Sequence, residues 1–272
     1  IADFVASRYG KSHLLGGLVT LIAVVGIVPY IALQLKAISS GYALLIGEHD
    51  SLFRVESQAG WWQDGTLYIA LTLAAFTVLF GTRHLDTTER HEGMVAAIAF
   101  ESVVKLLAFL AVGIYVTYWL YDGFGDLYAR AMAAPELANV LAFDGVGRLG
   151  YGGWFAHVLL AMLSVIFLPR QFQIAVVENV NEQHLRRATW AFPAYLLLIN
   201  IFVIPVAIGG LLHFGRGTVD PDTFVLTLPM AHDNAALALF VFIGGLSAAT
   251  GMVIVEAIAL STMVCNDLVM PM

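Results

Sequence analysis

Residues 235–265 read AALALFVFIGGLSAATGMVIVEAIALSTMVC, and Glu256 is the sole charge in them. A helix needs about 20 consecutive apolar residues to cross the hydrocarbon core of a bilayer, and this run exceeds that length. Working outward, five more apolar runs lie at about 12–38, 65–82, 93–121, 151–176 and 187–213. Hydrophobic residues make up 60% of the chain and charged residues 12%, with a mean hydropathy of +0.83. A soluble domain carries about 25% charged residues, so the lipid bilayer is the first partner this sequence implies. Backbone polar groups in lipid must be satisfied within the segment, which makes each run a helix. None shows the roughly ten-residue alternation of a membrane barrel strand. The predicted fold class is an all-α membrane protein, a polytopic helical bundle over residues 1–272.

Charge sets an expected orientation. With the opening segment in the cytoplasm, the inner segments hold Arg8, Lys11, Arg83, Arg90, Arg170, Arg186 and Arg187, and the outer ones Arg54, Arg130, Arg148 and Arg216. Seven basic residues against four favours that orientation under the positive-inside rule. The outer segment 122–150 reads as partly helical along the interface, and residues 81–92, GTRHLDTTERHE, as a charged cytoplasmic hinge. No basic patch with interleaved aromatics is present, so nucleic acid is not an expected partner. Cys265 is the one cysteine, which excludes an intramolecular disulfide framework. The chain opens on Ile1 without an initiating Met and closes on Met272 just after a helix, so both ends read as cuts from something longer.

Several side chains are unusual inside such runs, and each has a bland reading beside a sharp one. Pro29 removes a helical hydrogen bond in the first run. Tyr30 and Gln34, four residues apart, share one face there. They present a phenol and an amide to a polar ligand, or the kink is simply packed and Lys36 snorkels outward. Glu101 and Lys105 stand at the favoured i,i+4 order, either as a neutralised structural pair or as a pair that a proton or ligand charge can open. In Phe167-Leu168-Pro169-Arg170-Gln171-Phe172, proline followed by Arg and Gln predicts a helix break. Irregular backbone at membrane depth belongs where it is buried in protein or lines a cavity, as in the discontinuous helices of transporters. The bland alternative is that Pro169 ends a helix at the surface and Arg170 is a topology anchor. Glu256 lies deep in the last run among small residues, Gly244, Gly245, Ser247, Thr250 and Gly251. An unpaired carboxyl there favours its neutral acid and is a candidate proton carrier, or else a structural hydrogen-bonding group.

The eight histidines stand mostly in loops or at helix ends, and no two have metal-ligand spacing on one helix with a carboxylate partner, so no metal site is predicted. No nucleophile elbow, phosphate-binding loop or dinucleotide fingerprint is present, so the segment itself does not read as an enzyme.

The succession ADFVASRYGKS, VPYIALQLKAI, FGTRHLDTTERHEG, FLPRQF and GGLSAATGMVIVEAIALSTMVCNDL resembles the sodium/solute symporter family. Within it, the likeness is to the transporter-like membrane half of bacterial hybrid sensor histidine kinases linked to histidine uptake and carbon–nitrogen balance. The resemblance covers nearly the whole chain and implies a LeuT-like core of inverted five-helix repeats, of which this chain holds a part. It would begin before core helix three and end after core helix eight, leaving outside it core helices one, two, nine and ten and the kinase. The resemblance also places the chain in the bacterial inner membrane, as a multi-pass protein whose opening segment is cytoplasmic.

Carried over by residue, Tyr30 falls where the family has a tyrosine bordering the ligand site. Pro169 falls in a Gly-Gln-Pro-His-like turn near the broken core helix six, of which Phe167-Leu168-Pro169-Arg170 keeps only the proline. Glu89 falls at an aspartate that serves ion coupling. The family's sodium site uses adjacent Ser/Thr hydroxyls on core helix eight, and here Gly251 and Met252 stand in their place. Hard cations take oxygen ligands, which neither side chain offers, although Thr250 lies next to them. The expectation is a transporter core that binds an amino acid, histidine by resemblance, at Tyr30, Gln34, Pro169, Gln171 and Phe172. H+ rather than Na+ would be the coupling ion, through Glu256, with Glu89, Thr250 and the Glu101–Lys105 pair in support. The alternative is a receptor that binds the same solute without moving it and signals to a kinase in the same chain.

Overall fold

The computed structural model describes residues 1–47, 65–80, 92–135, 137, 150–179 and 181–271. The charged hinge, and Glu89 with it, lie outside the described residues. Among those described the chain is helical, with no strand. Helices α1 (Ala2–Arg8), α2 (His13–Leu45), α3 (Gly65–Phe80) and α4 (Glu92–Ile114) come first, α4 continuing as a wide π-helical turn, Tyr115–Leu120. They are followed by α5 (Phe124–Ala133), α6 (Gly150–Phe167) and α7 (Pro169–Phe172), the last running on into a π turn, Gln173–Val177. Then come α8 (Glu182–Asn200), α9 (Val203–Phe214), α10 (Phe224–Ala231) and α11 (Ala235–Val264), which ends in a third π turn, Cys265–Val269.

Four helical stretches, His13–Leu45, Val95–Leu120, Glu182–Phe214 and Ala235–Val269, are long and apolar enough to cross a bilayer; Gly150–Val165 with Pro169–Val177 makes a fifth, bent by 43°. Their outward side chains are apolar: on α2 alone Leu14, Leu18, Leu21, Ile22, Val25, Val28 and Leu33 are exposed. Water would not tolerate so large a contiguous apolar surface; hydrocarbon does. The chain is an all-α, multi-pass membrane protein.

Contacts divide it into two units, and α4, α6 and α11 contribute to both. The first comprises Ile1–Phe100, Leu163–Val180 and Leu246–Met272. Here Ser12 caps α2 by accepting from the Leu15 N–H at 3.3 Å, satisfying one of the orphan donors of a helix start. Ala2 and Ala6 are buried, and Phe4 packs on Phe172 with ring centroids 5.8 Å apart. The end of α11 approaches α2 closely because Gly16 has no side chain; a methyl there would lie 3.0 Å from the Asp267 carboxyl. One turn on, the fully buried Thr20 donates to Asp267 at 3.1 Å.

The second unit comprises Glu101–Met162 and Asn181–Gly245. As the sequence suggested, the segment after residue 122 is partly helical. In α5, Leu127 and Ala131 pack with Ile208 of α9, while Asp126 and Arg130 pair at 2.9 Å on the solvent side. Glycines again set the spacing: a methyl on Gly209 would lie 2.7 Å from Val116, and one on Gly113 would collide with Phe202. Phe202, at the break between α8 and α9, stacks on Phe124 at 5.9 Å.

Candidate functional site

The Pro169 break is the structural origin of the site. Proline clashes with a helical conformation in the residue before it, and Leu168 is accordingly extended, with φ −73° and ψ 124°. Pro169 then opens α7 at a first-turn position, where its missing N–H costs nothing. The consequence is that Arg170 is delivered at the start of a new helical segment, with its backbone N–H free of the preceding turn.

Two elements of the first unit, α2 and α11, converge on this residue. From α2, the Tyr30 hydroxyl accepts a hydrogen bond from Arg170 Nη1 at 3.3 Å. The same guanidinium stands 5.9 Å from the Tyr30 ring centroid, within cation–π range. Tyr30 in turn donates to the Met252 sulfur of α11 at 2.9 Å. Glu256 lies four residues after Met252 on the same face of α11 and is only 2% exposed. Both the charge and the backbone N–H of Arg170 act on its carboxyl. Its Oε2 has no hydrogen-bond partner among the described residues. A buried polar atom left unsatisfied costs about 1–3 kcal/mol, so this one is an unused acceptor, or the place a proton would sit.

The other residues predicted from sequence distribute as follows. Pro169 is buried at the break, and Gln34 is half-buried one turn beyond Tyr30. Gln171 and Phe172 are half-buried, with Phe172 turned to Phe4 of α1. Thr250 donates to the Ser247 carbonyl of its own helix at 2.9 Å. Glu101 and Lys105 belong to the second unit, where Lys105 supplies the charge that acts on Glu101. Lys105 Nζ also stands 6.0 Å from the Tyr195 ring, and the Tyr195 hydroxyl donates to the Ser102 carbonyl at 3.1 Å. Arg170, Met252 and Tyr195 were not among the predicted site residues. The signal for Arg170 was in plain view, a cation one residue after a proline in an apolar run.

A hard cation takes oxygen ligands, and the Met252 side chain offers none. Its thioether is soft, and it is already engaged by Tyr30. What the cluster offers is an always-charged guanidinium, a phenol and a secluded carboxyl, a set suited to binding a polar solute and holding or releasing a proton.

No family model matches the chain, and no solved structure matches it. Over 217 residues it is 27% identical to a protein of Bacillus subtilis (strain 168) named as an uncharacterized symporter, YhjB, a likeness that takes in 78% of this chain. The chain spans 38% of the length of that relative.

Proposed function

We propose that this chain is core helical machinery of a secondary transporter that takes a small polar solute across the membrane by alternating access, with a proton as the coupling ion. The observation that carries the reading is Glu256: a carboxyl 2% exposed in the middle of a membrane-spanning helix, with an oxygen that has no partner among the described residues, facing Arg170 at a helix break. Ionisable groups at such depth mark ion and substrate pathways, and discontinuous helices build the sites of secondary transporters. The likeness to a symporter supports the same class. The solute is an amino acid, histidine by resemblance, with Tyr30, Gln34 and the Pro169–Phe172 segment lining its path. Proton coupling is preferred to sodium because Gly251 and Met252 offer no oxygen side chain at the resembling position. The Glu101–Lys105 pair rearranges as the helices rock. In the full protein, embedded in the bacterial inner membrane with its opening segment cytoplasmic, a histidine kinase reads occupancy.

The test is radiolabelled histidine uptake by the full-length protein in proteoliposomes under imposed proton and sodium gradients in turn, wild type against Glu256→Gln. Uptake driven by protons and lost in the variant is the expected result. Uptake driven by sodium would overturn the coupling ion. Binding without uptake under either gradient would establish a receptor instead.

A further inference from the structure

Arg170 carries more hydrogen-bonding capacity than its surroundings use. A guanidinium presents several N–H donors in a rigid planar fork and keeps its charge at any ordinary pH. Among the described residues Arg170 makes one side-chain hydrogen bond, the 3.3 Å bond from Nη1, and its acceptor is a neutral phenol. The side chain is half-buried, and a cation in such a place is stabilised by an anion. Of the buried carboxyls in this unit, Glu178 accepts from Gln173 Nε2 at 3.1 Å. The other, Glu256, is reached by the backbone N–H of Arg170, yet its Oε2 has no hydrogen-bond partner among the described residues. The Arg170 and Glu256 side chains are therefore neighbours that do not hydrogen-bond to each other.

We propose that Arg170 captures the carboxylate of the solute in competition with the Glu256 carboxylate, so that a proton on Glu256 clears the guanidinium for the solute. The role rests on reading this cluster as the solute site. It adds the substrate class, solutes bearing a carboxylate, and the step at which proton and solute are linked. Arginine and carboxylate match through two parallel N–H···O bonds, which the Tyr30 phenol cannot supply.

An ionised Glu256 sets a second negative charge beside the arriving carboxylate, in surroundings where like charges repel more strongly than in water. A proton taken from solvent and bonded to the Glu256 carboxylate removes that charge. The neutral acid that results can donate a hydrogen bond to the solute. By linkage the effect is reciprocal: a bound solute carboxylate favours the proton on Glu256 by the same factor. Arg170 is the charged group that acts on Glu256. Glu256 is the only charge on α11, and α2 contributes the neutral Tyr30, which Met252 holds in place.

The test is equilibrium dialysis of the full-length protein in lipid nanodiscs against radiolabelled amino acids, each beside its decarboxylated amine, from about pH 5.5 to about pH 8.5. At least one amino acid binds and its amine does not, and the affinity falls about ten-fold or more as the pH rises. In Glu256→Gln the affinity stays at its low-pH level throughout, whereas a pH effect belonging to the solute would persist there. Arg170→Gln weakens binding about ten-fold or more at low pH and abolishes its pH dependence. Arg170→Lys keeps the charge without the fork. It binds more weakly, retains the pH dependence, and is read instead should Arg170→Gln fail to fold. Amino acid and amine bound alike, no amino acid bound, or a wild-type affinity independent of pH would each overturn the role. Transport is a separate outcome: pH-dependent capture without uptake leaves Arg170 in this role and removes the transporter, and proton-driven uptake with pH-independent binding does the reverse.

Discussion

Two adjacent glycines in α11 should respond to the same substitution with opposite signs. Gly244 is buried and Gly245 exposed. A methyl added to Gly244 would lie 2.5 Å from the Ala108 Cβ of α4, with the Lys105 Cα and the Val104 carbonyl at 3.7 Å; one added to Gly245 meets nothing within 4 Å. Carbon pairs are comfortable at about 3.5–4.0 Å, so Gly244→Ala is short by about 1 Å. Ala108 has no rotamer with which to yield, so the two helices must part. Overpacking of this kind costs about 1–3 kcal/mol. Against it stands the propensity gain of alanine over glycine in a helix interior, about 1 kcal/mol. Gly245→Ala collects that gain unopposed. Since the two positions are neighbours in one helix, propensity cancels in the difference between the variants, and what remains is the steric term. We expect Gly244→Ala to be less stable than Gly245→Ala by about 2 kcal/mol, roughly a 30-fold difference in the unfolding equilibrium. Equilibrium unfolding of the full-length protein in mixed detergent micelles, followed by far-UV circular dichroism, measures it. Two variants of equal stability would refute the close approach of α4 and α11 at Gly244.

The tie between α2 and the end of α11 predicts that Thr20→Val, which removes the donor to Asp267 while keeping the shape, destabilises by about 1–3 kcal/mol in the same unfolding assay. Thr20→Ser, which keeps the hydroxyl, should retain most of the wild-type stability, and identical losses in the two variants would discard the hydrogen bond as the cause. On the solvent side of α5, the hydrogen bond from Arg130 holds the Asp126 carboxyl below its ordinary range. A carboxyl with a lowered folded-state value adds stability above its ordinary titration range and loses it as pH falls through the lowered value. Arg130 is exposed and Asp126 partly so, the stability at stake is small, and the readout is the titration itself. The Asp126 carboxyl carbon, followed by NMR, should titrate at higher pH in Arg130→Ala, and an unmoved midpoint would mean that the contact does not persist in solution.

What could be read from the sequence was what breaks a local rule. Glu256 interrupts a run with no other charge, and Pro169 cannot sit inside a helix without disturbing it. Each was visible without knowing its neighbours, because the cost of a carboxyl in hydrocarbon or of a missing backbone donor belongs to the residue itself. That the stretch after residue 122 is partly helical was likewise legible from local composition. Partner choice was not. Tyr30 is 140 residues from Arg170 and 222 from Met252, and nothing in the local pattern of either segment selects the other. Arg170 illustrates the gap. Read locally, a basic residue after a proline is either a surface anchor or part of a break, and both readings fit the same six letters. The structure has its guanidinium on the Tyr30 phenol and its backbone N–H directed at Glu256. A surface anchor would send its side chain to water or headgroups instead. Those two contacts have one origin, since the extended Leu168 that breaks the helix also frees the donor and sets the direction of the side chain. Substituting Pro169 should therefore disturb Arg170 and Glu256 together, whereas a surface anchor would move independently of a carboxyl on another helix.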